Sequence, residues 1–212
     1  TYHIEDGKTN KGGFIGGENI GSLLASSWGS VAMNGTNLNR ELLDPIIGAV
    51  NVQLGADVKR VRYTDADGSV VTLRLNRGVA NLTLTGVNIQ QTFRRGIVTV
   101  RADDGVTLDT VQLIDTTARS TLNINVRRGN RSADLGQVIG SGSLGRLLAS
   151  RVDLVGEGIH LTDQGYIAMT RLKNIENGAD MVMAGAGPKN GVRIFAGKIT
   201  DETNIHLAGA VT

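Results

Sequence analysis

The chain has 212 residues, with 22 Lys or Arg and 20 Asp or Glu, which gives a net charge of +2. This balance argues against a dedicated nucleic-acid-binding protein, because such proteins carry a clustered basic excess. The absence of Cys excludes disulfides and thiol chemistry, and no apolar run is long enough for a transmembrane helix. Aromatic residues make up only 3% of the chain, so few rings are available to stack on sugars or bases.

The N-terminal part of the chain, residues 1–49, is predicted to contain coils and one short helical segment. Apolar residues, among them Leu38 and Leu42, recur at helical spacing over residues 37–47. Pro45 keeps this helix short, because proline lacks a backbone donor and clashes with the preceding turn. No other segment of the sequence has this helical pattern.

The middle of the chain, residues 50–131, is predicted to be rich in strands. Apolar and polar residues alternate there, as is typical of half-buried strands, over residues 50–54, 71–75, 82–85, 106–108 and 122–127. The Asp67-Gly68 pair, between strands at 61–63 and 71–75, predicts a lateral hairpin. We interpret this region as solenoid coils with a lateral hairpin. A separate small β-sandwich inserted between coils is the alternative, because the alternation fits both.

The C-terminal part, residues 132–212, contains an internal repeat. One strand-like pattern occurs three times, at 147–152, 167–172 and 194–199. A second short strand follows each copy, at 159–161, 179–181 and 205–207. Repeats at this spacing with glycine and asparagine corners are typical of stacked solenoid coils. The sequence therefore predicts an all-β parallel β-helix, or β-solenoid, with irregular coils and a lateral hairpin; the alternative is a β-sandwich with a solenoid-like C-terminal part.

Four phrases in the chain resemble those of large secreted β-helix proteins of planctomycete-type bacteria. They lie at residues 63–68, 158–162, 177–180 and 185–189. The resemblance implies an extracellular or cell-surface location and a parallel β-helix in a surface or matrix protein. It offers no catalytic residues to transfer to this chain.

The densest carboxylates suggest two kinds of chemistry. Asp65 and Asp67 flank a glycine turn whose oxygen atoms suit calcium, and they are the candidate metal ligands, with no other cofactor expected. The preferred interpretation of these residues is nevertheless a tight turn between strands, because glycine accepts the positive φ of such a turn. Together with Asp103 and Asp104, the same carboxylates are candidates for the acid and base of a glycosidase, although nothing in the sequence brings the two pairs together.

A glycine-rich segment and a set of aligned polar residues each have a structural interpretation and a functional alternative. The glycines in residues 140–145 match a nucleotide-binding spacing, but the next strand follows too soon for a crossover helix, so we interpret them as coil corners. His160, Asp180 and His206 occupy the same position in the aligned strands, which predicts an outward ladder. Such a ladder is either a solvated polar face or a weak metal-binding or pH-sensitive site.

These observations predict a structural extracellular module rather than an enzyme. Its expected partners are copies of itself or adjoining domains that meet open end coils, in a fibre, layer or adhesin. Acidic polysaccharide is a further expected partner because basic residues cluster at 59–62, 94–95 and 127–131. The alternatives are a polysaccharide-active β-helix enzyme and a calcium-dependent carbohydrate-binding module.

Overall fold

The computed structural model describes residues 32–33, 36–37, 47–189, 191–200 and 202–208. Contacts divide the chain into two units, Thr1–Ile46 and Ile47–Thr212. In the first unit, β1 (Ala32–Met33) pairs antiparallel with β2 (Thr36–Asn37). Most of the predicted helix, residues 38–46, lies outside the described residues, and the predicted boundaries at residues 49 and 131 stay predictions.

The second unit consists of strands, and the described residues contain no helix. The strands are β3 (Ile47–Leu54), β4 (Arg60–Thr64), β5 (Val70–Leu75), β6 (Ala80–Val87), β7 (Gln90–Arg94), β8 (Ile97–Arg101), β9 (Thr107–Leu113), β10 (Thr121–Arg127), β11 (Ala133–Gly140), β12 (Arg146–Leu161), β13 (Met169–Ile175), β14 (Asp180–Met183), β15 (Arg193–Phe195), β16 (Lys198–Ile199) and β17 (Ile205–Leu207). All fifteen belong to one hydrogen-bonded sheet. The prediction of an all-β chain is therefore confirmed.

Parallel pairing of successive coils forms a β-solenoid of about four turns, as the sequence predicted. The long strand β12 pairs in turn with β10, β11, β13 and β14, and every one of these pairings is parallel. Leu147 lies beside Thr170, and Thr170 lies beside Ile194, so the two coils are nearly equal in length. The predicted alignment of Leu147 with Ile167 is wrong, because Ile167 lies beside Leu144 instead.

The middle strands continue the solenoid with antiparallel pairs. The predicted hairpin is confirmed, because β4 and β5 pair antiparallel on either side of the Asp67-Gly68 turn. β5 then pairs antiparallel with β10, while β6 pairs antiparallel with both β9 and β3. β8 lies parallel to β4 and antiparallel to β7. Short connections favour antiparallel neighbours, since a parallel pair needs a long crossover. Since β9 and β10 pair in parallel with β11 and β12, the middle region combines coil strands with the lateral hairpin, as the sequence predicted.

The core lies inside the coils and follows the strand alternation. Leu108, Leu135, Leu154 and Ile175 are neighbours across four successive strands, and each is fully buried. Ile199 continues the same row in the last described coil, where it is 50% exposed. The row is therefore covered on both sides except at this coil.

Candidate functional site

A polar pocket of about 340 Å³ lies beside the tip of the β4–β5 hairpin. The residues that bring chemistry to its lining are Tyr63, Asp65, Asp67, Asn130, Ser132, Asp134, Asp153 and Lys173. The topology explains this assembly. β5 pairs with β10, so the hairpin tip sits beside the loop that leaves β10 and leads into β11. β11, β12 and β13 are then stacked in parallel, which adds Asp134, Asp153 and Lys173.

Asp67 ties the hairpin tip to the loop after β10. Its carboxylate accepts hydrogen bonds from the Ser69 N–H at 2.7 Å, the Ser69 hydroxyl at 3.2 Å and the Asn130 N–H at 3.0 Å. A hydrogen bond with the Asp65 carboxyl group, followed by the Ser69 N–H, holds the pKa of Asp67 well below its usual range. Both oxygens of Asp67 therefore already have donors, and the residue joins the hairpin tip to the loop after β10 through these hydrogen bonds.

Asp65 lies directly against Asp67, and its pKa is shifted in the opposite direction. Its Oδ1 accepts the Asp67 N–H at 3.0 Å. Burial, followed by the hydrogen bond with the Asp67 carboxyl group, raises the pKa of Asp65 to about 6. The structure thus brings the two predicted calcium ligands together. Within the described part of the chain, however, no group of three His, Cys, Asp or Glu side chains is placed to hold a metal ion, so calcium binding stays a prediction.

Asp153 is the deepest charged group in the pocket, with its residue surface 7% exposed. Its Oδ2 accepts hydrogen bonds from Lys173 Nζ at 2.7 Å and the Ser132 hydroxyl at 2.8 Å. Its Oδ1 is buried and has no hydrogen-bond partner among the described residues. Asp134 lies beside Asp153 on the neighbouring strand, and burial, followed by the Asp153 charge, raises the pKa of Asp134.

The sequence analysis missed Asp134, Asp153 and Lys173. The signal for the two acidic residues was present, because each stands between an apolar residue and a buried leucine. These two short phrases, at 133–135 and 152–154, are register partners in β11 and β12. Reading them as equivalent positions would have placed the two carboxylates side by side.

Removal of the Lys173 ammonium is expected to destabilise the fold by about 1–3 kcal/mol, because Asp153 then holds an uncompensated buried charge. The upper end is reduced because the Lys173 side chain is 43% exposed. Urea unfolding of Lys173→Ala at pH 7 measures this loss. Lys59→Ala is the matched control, since Lys59 is exposed and forms no ion pair within the described ranges. Equal stability of the two variants would contradict the role of the pair.

The second predicted carboxylate pair does not enter the pocket. Asp103 accepts a hydrogen bond from Asn88 Nδ2 at 2.7 Å, outside the pocket lining. Gly105, close behind it in the chain, packs against the backbone at Ala66, and the Val106 N–H donates to the Thr64 carbonyl at 3.0 Å. The loop that contains Asp103 and Asp104 therefore contacts the hairpin tip through its backbone, and neither carboxylate lines the pocket.

The glycines at residues 140–145 pack as coil corners. A side chain at Gly140 would overlap the Leu113 carbonyl, and one at Gly145 would overlap the Ala118 carbonyl. These residues lead directly from β11 into β12, with a β-strand in place of the helix that a dinucleotide site requires. The packing supports the structural interpretation of this motif.

The predicted ladder of His160, Asp180 and His206 is wrong in its register. His160 and His206 lie on either side of Val182, whereas Asp180 lies beside Gly158. The alignment failed because the coil between β12 and β14 is longer than the sequence repeat had suggested. Hydrogen bonds from the Asn204 N–H and side-chain amide, and to a smaller extent the two imidazoles, lower the pKa of Asp180.

The last described coil presents a second feature of functional interest. Within the described residues, its strands β15, β16 and β17 pair with the preceding coil and with no strand on the other side. This coil carries three large exposed apolar side chains: Phe195 at 47%, Ile199 at 50% and Ile205 at 40%. At the opposite edges of the sheet, β3 and β7 also pair on one side, and they expose Ile47 and Phe93.

A helix long and apolar enough to cross a membrane is absent from the described residues. Comparison with known proteins found no matching family model, no similar curated protein and no similar solved structure.

Proposed function

We propose that this chain is a structural module that associates end to end through the edge strands of its solenoid. The observation that carries this proposal is the last described coil, which combines one-sided strands with three exposed apolar side chains. Its place in an extracellular surface fibre, layer or adhesin is part of the proposal and rests on the resemblance to secreted β-helix proteins.

Backbone chemistry supports association at this coil. An edge strand presents a row of N–H and C=O groups that pair readily with another strand. Three such strands, β15, β16 and β17, follow one another around one coil, so an added coil would gain hydrogen bonds along each of them. We propose that an added coil adopts the same parallel register as the earlier coils.

Side-chain burial supports the same conclusion. Ile199 stands in the row of Leu154 and Ile175, which are both fully buried by the coils on either side. A further coil would cover Ile199 in the same way. Complete burial of each half-exposed apolar side chain contributes about 1 kcal/mol. Ile205 adds to this gain, because it stands in the row of Ile159 and Met181, which are both fully buried.

A second copy of the chain is the proposed occupant of this edge. β3 and β7 form the opposite edges of the same sheet and expose Ile47, at 77%, and Phe93, at 61%. Pairing of one copy's last coil with the next copy's first edges is a heterologous contact, which repeats into an open filament. An adjoining domain with a similar edge would fit the same surface.

The double substitution Ile199→Asp/Ile205→Asp is expected to abolish concentration-dependent association, because each new carboxylate would be desolvated at the interface. Gln112→Asp, which places a charge on an exposed strand position, is expected to leave association unchanged. Sedimentation velocity over a concentration series, followed by negative-stain electron microscopy, measures both. A parent chain that stays monomeric up to its solubility limit would refute self-association.

A further inference from the structure

We infer that one outer face of the sheet binds a linear acidic polysaccharide, a sugar chain that carries carboxylate or sulfate groups, through its arginine side chains. The face belongs to six strands that are neighbours in the order β7, β8, β4, β5, β10 and β12. The inference is independent of end-to-end association, because it uses the outward side chains of a sheet face and not the backbone of the edge strands.

Strand alternation brings the three basic clusters of the sequence onto this face. Val61 and Tyr63 of β4 are buried, so the exposed arginines that alternate with them point outward. The pairing of β4 with β5 and β8, of β8 with β7 and of β5 with β10 places further exposed arginines on the same side. The arginines that share this side are Arg60, Arg62, Arg74, Arg94, Arg101 and Arg127.

Three of these arginines lie close together at the centre of the face. Because β4 and β5 are antiparallel neighbours, Arg60 and Arg74 stand beside each other at the spacing of adjacent strands, about 5 Å. Arg62 follows Arg60 on the same side of β4, about 7 Å further along the strand. Like charges at these distances repel each other, and an anion bound between them relieves that repulsion.

The face carries no acidic counter-charge on its own strands. The strands β4, β5, β7, β8 and β10 contain neither Asp nor Glu, and the same holds for residues 146–149 of β12. Among the described residues the only ion pair joins Lys173 to Asp153, so none of the six arginines has a carboxylate partner there. The whole chain has a net charge of only +2, so the topology concentrates on one face a positive charge that is balanced in the sequence.

A shallow groove of about 610 Å³ at one end of the face has the same chemistry. Its polar lining consists of Asn76, Arg77, Arg119, Thr121 and Arg146, and no carboxylate is present in its described lining. Thr121 pairs with Arg146, so the groove continues the outer face where β10 and β12 begin. A guanidinium group can donate two parallel hydrogen bonds to one carboxylate or similar oxyanion. The groove therefore offers a position for one acidic group of the ligand.

The other side chains of the face favour a polysaccharide over a nucleic acid. Arg62 lies between Thr72 and Thr99 on the two neighbouring strands. Hydroxyl groups both donate and accept hydrogen bonds, which suits a ligand that alternates acidic groups with sugar hydroxyls. Single-stranded nucleic acid needs aromatic rings on which its bases stack. The aromatic residues of these strands, Tyr63 and Phe93, alternate onto the opposite side, where Tyr63 is buried and Phe93 pairs with the buried Val98.

The test uses dextran sulfate and polygalacturonate as acidic polysaccharides, dextran as the uncharged probe and duplex DNA as a polyanion of another class. Fluorescence anisotropy of each end-labelled polymer is measured against the full chain over a series of salt concentrations. At least one acidic polysaccharide is expected to bind saturably and more tightly than DNA, with an affinity that falls as salt rises, whereas dextran does not bind. The tighter of the two acidic polymers identifies sulfate or carboxylate as the recognised group.

Three variants make the test specific to this face. Arg62→Gln/Arg74→Gln is expected to weaken polysaccharide binding by at least about tenfold, because it removes two charge-assisted contacts. Lys189→Gln/Lys198→Gln removes two exposed charges outside the six strands and is expected to bind as the parent does. Arg62→Lys/Arg74→Lys keeps the charge but loses the paired donors, so its affinity is expected to lie between the two. Circular dichroism shows that each variant is folded.

Three results would overturn the inference. The first is the absence of binding to both acidic polysaccharides at a low salt concentration, about 50 mM. The second is an equal loss of affinity in the arginine-to-glutamine and lysine-to-glutamine variants, which would show that binding follows total charge and not this face. The third is tighter binding of duplex DNA than of either acidic polysaccharide, which would assign the face to a nucleic acid.

Discussion

Gly158→Ala is expected to destabilise the chain by about 2–5 kcal/mol and to detach the coil that follows it. Gly158 has a φ of +86° and lies beside Asp180 in the next coil. A methyl group there would overlap the backbone carbonyl and N–H of Asp180. Backbone, unlike a flexible side chain, cannot move aside without loss of the β12–β14 pairing. The substitution therefore adds a steric overlap to the strain of a positive φ.

Gly178→Ala is the matched control for this prediction. Gly178 also has a positive φ, of +72°, but a side chain there would meet nothing within 4 Å. Only the conformational strain remains, which costs about 1–2 kcal/mol. Urea unfolding followed by circular dichroism measures both variants at pH 7. Equal losses would show that the close approach of the two coils at Gly158 is unimportant for stability.

Leu154→Ala is expected to cost about 2–5 kcal/mol, because it leaves a cavity at the centre of the inner row of leucines. Leu154 is fully buried between Leu135 and Ile175. Coils on both sides hold the walls of this cavity in place, so they cannot collapse into it easily. A single cooperative unfolding transition at a lower urea concentration is the expected observation.

Ile199→Ala tests the same row at the last described coil. Ile199 is 50% exposed, so its truncation is expected to cost less than about 1 kcal/mol in dilute solution. The difference between the unfolding free energies lost in Leu154→Ala and in Ile199→Ala measures how much less the side chain is buried at the last described coil. If both truncations cost the same in dilute solution, Ile199 is covered within one chain, and the proposed association surface is wrong.

The strands themselves could be predicted from the sequence, because their alternation has the period of a half-buried strand. The turn at Asp67-Gly68 likewise marked the hairpin, since glycine accepts the positive φ of +83° found there. The register between coils could not be predicted in the same way. Register depends on how much of the chain each corner takes, and the corners differ in length, which is why Asp180 was misaligned with His160.

The candidate site was predictable only in part for the same reason. Asp65 and Asp67 stand close together in sequence, so their proximity was evident. The burial of Asp153 could not be predicted in this way, because its hydrogen-bond partners Ser132 and Lys173 are 21 and 20 residues away in the chain. A register shift between Ala149 and Asp153 breaks the alternation at this point, as a β-bulge does. Beyond this shift the strand alternates again, so Asp153 lies beside the exposed Asp134 on the face opposite the buried Leu135 and Leu154.

The antiparallel strands beside the solenoid also give the chain a folding order. Short turns, at 95–96 and 65–69, join β7 to β8 and β4 to β5, and hairpins of this kind form in about 1–10 μs. A solenoid coil must instead bring together strands that are a whole coil apart in sequence, as Leu147 and Thr170 are, at a higher entropic cost. β5 pairs with β10, and β10 pairs in parallel with β12, so the β4–β5 hairpin is joined to the coils through β10. We expect both hairpins to form before the coils, because their loops are shorter.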